Sequence, residues 1–260
     1  MRPSRVLRKL RAGEAICSFK VNFGDARVSE LAAMHGFDCI WTCREHTATD
    51  WNVIEQQVWA TKTQDVDLMV RVERGSPSDY VRPLELDAAG ILVPHIMSAE
   101  DAAQVARMTR FQPIGLRPVD SGNADGAYCN IPFTEYLEQA NRERFVLVQI
   151  EDPEPLDELD AIAATEGIDG LLFGPGDFTH ALGIPGQFDA PEVQDARKRV
   201  ADACIRNGKI AATVGSPETA PALLDLGYRF INIGSDVVSV SRACSQAVDS
   251  FSTSADAAKA

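Results

Sequence analysis

The 260-residue sequence contains no apolar run of the roughly 18 residues that a membrane-spanning helix needs, which argues against a membrane role. Its first residues, Met1 to Arg11, are basic, but no apolar signal-peptide stretch follows them. Positive charge is scarce, with 25 Lys and Arg against 38 Asp and Glu, a net charge of −13. A surface this acidic repels phosphate backbones and speaks against nucleic acid as a partner. The six cysteines (Cys17, Cys39, Cys43, Cys129, Cys204, Cys244) form no CxxC pair and have no metal-finger spacing. Cys17, Cys39 and Cys43 lie inside apolar runs, where a thiol behaves as a small hydrophobe. Reduced thiols and a cytoplasmic location are the expectation.

What is present is an ordinary globular mixture, 45% hydrophobic and 24% charged, which excludes a disordered or low-complexity chain. Arg2, Arg5, Arg8, Lys9 and Arg11 place five positive charges in the first twelve residues. That segment could bind a membrane or another chain; a solvated helix turn or a subunit contact is the simpler reading. In so acidic a protein, an anionic substrate has to be held by a local cluster of positive groups.

Short apolar runs recur along the chain at Ala15–Val21, Phe37–Cys43, Leu68–Val72, Ile91–Pro94, Phe145–Glu151, Gly170–Pro175, Ile210–Val214 and Phe230–Gly234. They are rich in Ile, Val, Leu and Phe without clean alternation, as strands buried on both faces are. Stretches of helical period, such as Leu156–Glu166, Val193–Asn207 and Thr219–Leu226, separate them. Gly36, Gly167, Gly208 and Gly227 each close a helical stretch just before a strand, where a left-handed cap favours a residue without Cβ. Ser98–Asp101 reads as a capping box, and Ser216-Pro217 as an N-cap followed by proline at the first helical position. Eight strand–helix units predict an α/β fold, a single (β/α)8 TIM barrel over residues 1–250, followed by a flexible tail at 251–260. Ile114–Pro118 has strand-like composition but falls in a Gly-, Pro-, Asn- and Asp-rich connection, about 110–132, and is assigned to an irregular excursion.

A barrel places its chemistry at the C-terminal ends of its strands. Those ends offer Lys20, Cys43-Arg44-Glu45-His46, Arg71 and Glu73, Pro94-His95, Gln149-Ile-Glu151, Gly174-Pro-Gly-Asp177, Gly215-Ser216 and Gly234-Ser235-Asp236. Glu151 and Asp177 come from adjacent strand ends, so their carboxylates could converge on a hard divalent cation. The alternative is that Glu151 merely begins an acidic surface turn. His46 has the chemistry of a general base near neutral pH, and His35, His95 and His180 have weaker claims. Arg71, a guanidinium ending a buried strand, needs an anionic partner: a substrate group or a neighbouring glutamate.

Phe37-Asp-Cys-Ile-Trp41, Glu45-His46, Val70-Arg71, Ile91-Leu-Val-Pro94, Leu147-Val-Gln-Ile-Glu151 and Gly170-Leu-Leu-Phe-Gly-Pro-Gly-Asp177 resemble, in order and spacing, the HpcH/HpaI family of metal-dependent class II pyruvate aldolases, from about residue 7 to 250. The resemblance implies a homo-oligomeric barrel, usually a hexamer, that cleaves 4-hydroxy-2-oxo acids to pyruvate and an aldehyde. It implies Glu151 and Asp177 as ligands of a divalent cation (Mg²⁺, Mn²⁺ or Co²⁺) and Arg71 beside the keto oxygen. His46 falls in the base system, Gln149 beside the metal, and Gly174, Pro175 and Gly176 in the turn whose backbone holds the pyruvate carboxylate. Glu85 falls where the family has an acid reaching a neighbour's site.

Three positions depart from that pattern. Cys43 stands where an aspartate often orients the histidine, Arg44 replaces a small residue, and Lys20 stands where an aromatic often lines the pyruvate pocket. Lys20 and Arg44 are therefore assigned to substrate binding, implying an anionic substrate such as a dicarboxylate or a phosphorylated or sulfonated compound. Rival readings are a Schiff-base lyase using Lys20, a barrel isomerase binding phosphate at Gly215-Ser216 and Gly234-Ser235, and a metal-binding protein without aldolase activity.

Overall fold

The computed structural model describes residues 1–257. Among them, eight parallel strands close into a barrel in the order of the chain: β1 (Ile16–Val21), β2 (Cys39–Cys43), β3 (Asp67–Arg71), β4 (Gly90–Val93), β5 (Phe145–Ile150), β6 (Gly170–Phe173), β7 (Ile210–Val214) and β8 (Phe230–Ser235). The eight apolar runs are these eight strands, and the single (β/α)8 barrel is the fold. Gly36, Gly167, Gly208 and Gly227 have φ values of +94°, +90°, +63° and +99°, the left-handed turn from each helix into the next strand. Residues 110–132 contain one short 3₁₀ turn (Ala124–Gly126), and Ile114–Pro118 joins no strand.

Two cores follow from the strand period of two. Outward side chains such as Ile40, Leu68, Val70, Ile91, Val146 and Leu171 pack against the surrounding helices. Inward ones, including Ile16, Cys39, Trp41, Met69, Leu92, Phe145, Leu147 and Phe230, fill the barrel together with Val6 and Leu7 of the first helix (Arg5–Arg11). That helix closes the N-terminal end of the barrel. Its basic residues meet acids of the same chain. Arg5 and Lys9 pair with buried Asp38, each at 2.9 Å, and Arg8 with Asp65 at 2.7 Å. Arg2 pairs with wholly buried Asp67 at 2.9 Å. Ser4 Oγ and the N–H of Val6 also donate to Asp67, at 2.6 and 2.9 Å. The basic start thus meets acids of its own chain and plugs the N-terminal end of the barrel.

Two boundaries differ from expectation. The helix after β7 begins at Ala220, because Ser216 and Thr219 form their own turn: the Ser216 N–H donates to Thr219 Oγ1 at 2.8 Å. The last helix runs from Asp236 to Ala257, so the segment expected as a tail begins as helix. Hydroxyls there reinforce the helical turns; Ser250 donates to the Gln246 carbonyl and Thr253 to that of Asp249, at 2.7 and 2.9 Å. Residues 258–260 lie outside the described residues. This helix leaves Val237, Val238, Val240, Val248 and Phe251 exposed. Among the described residues no helix is long and apolar enough to cross a membrane.

Candidate active site

Strand alternation decides which side chains share the C-terminal mouth of the barrel. Inward positions step from Ile16 through Ser18 to Lys20 on β1, from Trp41 to Cys43 on β2 and from Met69 to Arg71 on β3. On β5 they step from Leu147 to Gln149 and on to Glu151, just past its end. The lower members are apolar and fill the barrel; the upper ones are polar and meet above that core. Gly174 follows β6, and Asp177 lies in the first turn of the short helix Pro175–Ala181.

Glu151 is 1% exposed. Its Oε1 accepts the N–H of His95 at 2.9 Å, and its Oε2 accepts a short hydrogen bond from Gln149 Nε2. Burial raises its carboxyl to about 7; the charge of Asp177 adds to the rise, while the His95 N–H, the His95 ring and Arg71 oppose it. Asp177 is exposed. Gly174 is required by close approach, since a Cβ there would lie 2.6 Å from Gln149 Nε2 and 3.0 Å from Glu151 Oε2. Pro175 opens the following helix without an N–H, which leaves those of Gly176 and Asp177 with no acceptor inside the helix. Among the described residues no three His, Cys, Asp or Glu side chains are grouped to hold a metal ion. Two hard carboxylates, one buried at a cost that a cation relieves, fit a divalent ion that keeps most of its positions for water and substrate.

Arg71, 4% exposed, lies with Nε 3.0 Å from Glu45 Oε2, and its Nε and Nη2 both donate to Cys43 Sγ at 3.3 Å. The same sulfur accepts the His46 backbone N–H at 3.4 Å. Cys43 therefore holds the guanidinium and the turn, and the carboxylate beside the His46 ring is Glu45, 3.4 Å from Nε2. Lys20 Nζ and Arg71 Cζ lie over the ring of buried Trp41, 5.2 and 5.3 Å from its centroid. Burial and the charge of Arg71 lower the Lys20 pKa.

Of the expected positive cluster, the structure brings Lys20 and Arg71 together. It leads the Arg44 guanidinium elsewhere: to Glu73 at 3.0 Å, to the Thr49 carbonyl, and over Trp51, whose ring Arg82 also approaches. Glu73, the Thr49 carbonyl and the Trp51 face hold Arg44 there, while its buried Nε has no hydrogen-bond partner among the described residues. Glu85 ends its helix half-buried, its carboxyl raised by burial. At Gly215-Ser216 the geometry is the Ser216–Thr219 cap.

His95 stands closer to the candidate metal ligands than its place in the sequence indicates. Its backbone is left-handed (φ +50°), and its Nδ1 lies 2.8 Å from Asp152 and 3.7 Å from Glu151. Burial lowers its pKa, but the Asp152 hydrogen bond and the charges of Glu151, Asp152 and Glu45 outweigh that, and the net shift is upward. The signal in the chain was Pro94-His95 directly after a strand. Trp41 and Glu45 were visible only as parts of longer motifs.

Comparison with known proteins gives the family. The HpcH/HpaI aldolase/citrate lyase family matches residues 24–243. A hydroxypyruvate/pyruvate aldolase of Pseudomonas aeruginosa is 33% identical over 258 residues, 99% of this chain and 96% of that one. A 5-keto-4-deoxy-D-glucarate aldolase of Klebsiella pneumoniae is 33% identical over 224 residues, 86% of this chain and 87% of that one. The crystal structure of an HpcH/HpaI aldolase/citrate lyase family protein from Burkholderia cenocepacia has a TM-score of 0.88 at 30% identity, covering 96% of this chain and 99% of that one. The chain belongs to the HpcH/HpaI aldolase/citrate lyase family. It is an enzyme of the aldehyde-lyase class.

Proposed function

We propose that the chain reversibly cleaves a 4-hydroxy-2-oxo acid to pyruvate, or a related 2-oxo acid, and an aldehyde, with an anionic group on the substrate. Glu151 and Asp177 hold a divalent cation, Mg²⁺, Mn²⁺ or Co²⁺. The observation that carries this reading is Glu151, 1% exposed and held by Gln149 and the His95 N–H, with the charge of Asp177 near enough to help raise its carboxyl. When bound, the cation supplies Lewis acidity toward the carbonyl of the 2-oxo acid. Gln149 and the His95 N–H fix the orientation of Glu151. The N–H groups after Pro175 hold the substrate carboxylate. Arg71, locked by Glu45 and Cys43, supports negative charge on the keto oxygen as the C3–C4 bond breaks. His46, beside Glu45, accepts the 4-hydroxyl proton. Lys20 gives the anionic substrate a partly desolvated positive charge.

The test is pyruvate release over a panel of 4-hydroxy-2-oxo acids, with metal titrated and with chelator. Glu151→Ala and chelator each abolish activity on this reading; activity that survives both sinks it. Lys20→Ala should lower the preference for anionic over neutral substrates. The lowered Lys20 pKa favours a second reading, attack of a neutral amine on the keto group. Borohydride with substrate would trap that Schiff base, and Glu151→Ala would spare it.

We further propose a homo-oligomer, a hexamer by resemblance, in which the exposed apolar residues of the last helix are covered by a second copy. Light scattering of Val248→Asp should report a smaller assembly. A cytoplasmic location accords with six cysteines that are all unpaired.

A further inference from the structure

At the N-terminal end of the barrel, the first helix sends its ion pairs toward the segments entering β2, β3 and β5. Between it and the segments entering β6, β7 and β8 a cavity of about 500 Å³ stays open. Arg11, Arg142, Lys209 and Arg229 line it, with Leu7, Leu10 and Ile210 as apolar wall. The acid in its lining is Asp169, whose carboxylate is already engaged by Arg110 and by the N–H of Val146.

Two of these cations differ from the others at this end. Arg2, Arg5, Arg8 and Lys9 each meet a carboxylate within 3.0 Å. Lys209 and Arg229 are held by backbone carbonyls instead. Lys209 Nζ donates to Ile168 and Thr165 at 2.6 and 3.3 Å, and Arg229 Nη1 to Leu224 and Tyr228 at 2.8 Å each. Carbonyls orient these side chains and leave their charge without a counter-ion; neither forms an ion pair among the described residues. Arg11 and Arg142 share one carboxylate, Glu143, at 3.6 and 3.1 Å. In a chain of net charge −13, this is fixed positive charge, in excess, around a concave space.

We propose that this cavity binds a small multivalent oxyanion, a di- or tricarboxylate or a phosphate ester, with its hydrocarbon part against Leu10 and Ile210. Two or more negative groups suit it because Arg11 and Arg142 converge at Glu143, whereas Lys209 and Arg229 are each held by separate backbone carbonyls. The site lies at the opposite end of the barrel from Glu151, so it does not depend on the reaction assigned there.

Titration calorimetry of the full chain in metal-free buffer, with citrate, pyrophosphate and acetate as probes, tests this. Citrate or pyrophosphate should bind one per chain and acetate far more weakly. The better of the two tells carboxylate from phosphate chemistry. Lys209→Gln with Arg229→Gln removes both charges while keeping an N–H for each carbonyl; it should weaken binding about tenfold or more. Lys20→Ala, at the other mouth, should leave it unchanged. Hydrogen exchange on the unaltered protein should show ligand protection at residues 208–211 and 228–230. Absence of binding, acetate binding as well as citrate, unchanged affinity in the double variant, or loss of binding in Lys20→Ala overturns the proposal.

Discussion

The two ends of the barrel treat buried acids in opposite ways. At the N-terminal end Asp38 and Asp67 are almost wholly buried, and each has a cation of the first eleven residues and a backbone N–H donor: Arg5, Lys9 and the Cys17 N–H for Asp38, Arg2 and the Val6 N–H for Asp67. At the C-terminal end Glu151 is equally buried, yet its hydrogen bonds come from an amide and a backbone N–H, and the His95 ring at 3.7 Å and Arg71 leave its carboxyl raised. A buried acid with its partners built in stabilises the fold, whereas one left incomplete stores a demand for a ligand. Acids alone do not mark the functional end; it is marked by acids whose compensation is missing.

Substitutions at either end can break this contrast. Arg71→Ala removes the guanidinium beside the proposed keto oxygen and should lower kcat by roughly 10²–10³ while the protein melts near its usual temperature. Asp67→Ala leaves Arg2, Ser4 and the Val6 N–H without their acceptor; it should cost about 3 kcal/mol in urea unfolding, with activity per folded molecule preserved.

Glu151→Gln should do the reverse of Asp67→Ala in metal-free protein. Well below pH 4.5 the Glu151 carboxyl is protonated in both folded and unfolded chains and carries no penalty. Between 4.5 and about 7 the unfolded chain ionises first, so stability falls as pH rises. The amide should flatten that fall and leave the variant up to about 3 kcal/mol more stable above pH 7, read by melting across pH. Equal pH profiles for both proteins would remove Glu151 from the comparison. Smallest in effect, Gly174→Ala pushes a methyl toward Gln149 and Glu151; it should weaken metal affinity about 10–100-fold with little change in stability.

The barrel was legible because doubly buried parallel strands read as unbroken apolar runs, and because the glycine turns at residues 36, 167, 208 and 227 punctuate them. Lys20, Arg71, Gln149 and Glu151 were legible because they are polar residues that end such runs. Partners distant in the chain were not. Nothing local says that Arg5 belongs to Asp38, or that Arg44 will lie over Trp51 beside Arg82 instead of joining Lys20. His95 was undervalued for the same reason: its importance comes from Asp152 and Glu151, more than fifty residues away.

Trp41 gives this site an optical property of its own. Its indole is buried, its Nε1 has no hydrogen-bond partner among the described residues, and the two cations proposed to meet substrate lie over its ring. Any anion that draws Lys20 or Arg71 away alters the electric field across that ring. Trp41 is therefore a native fluorophore at the floor of the proposed site, one whose emission should respond to occupancy without a label.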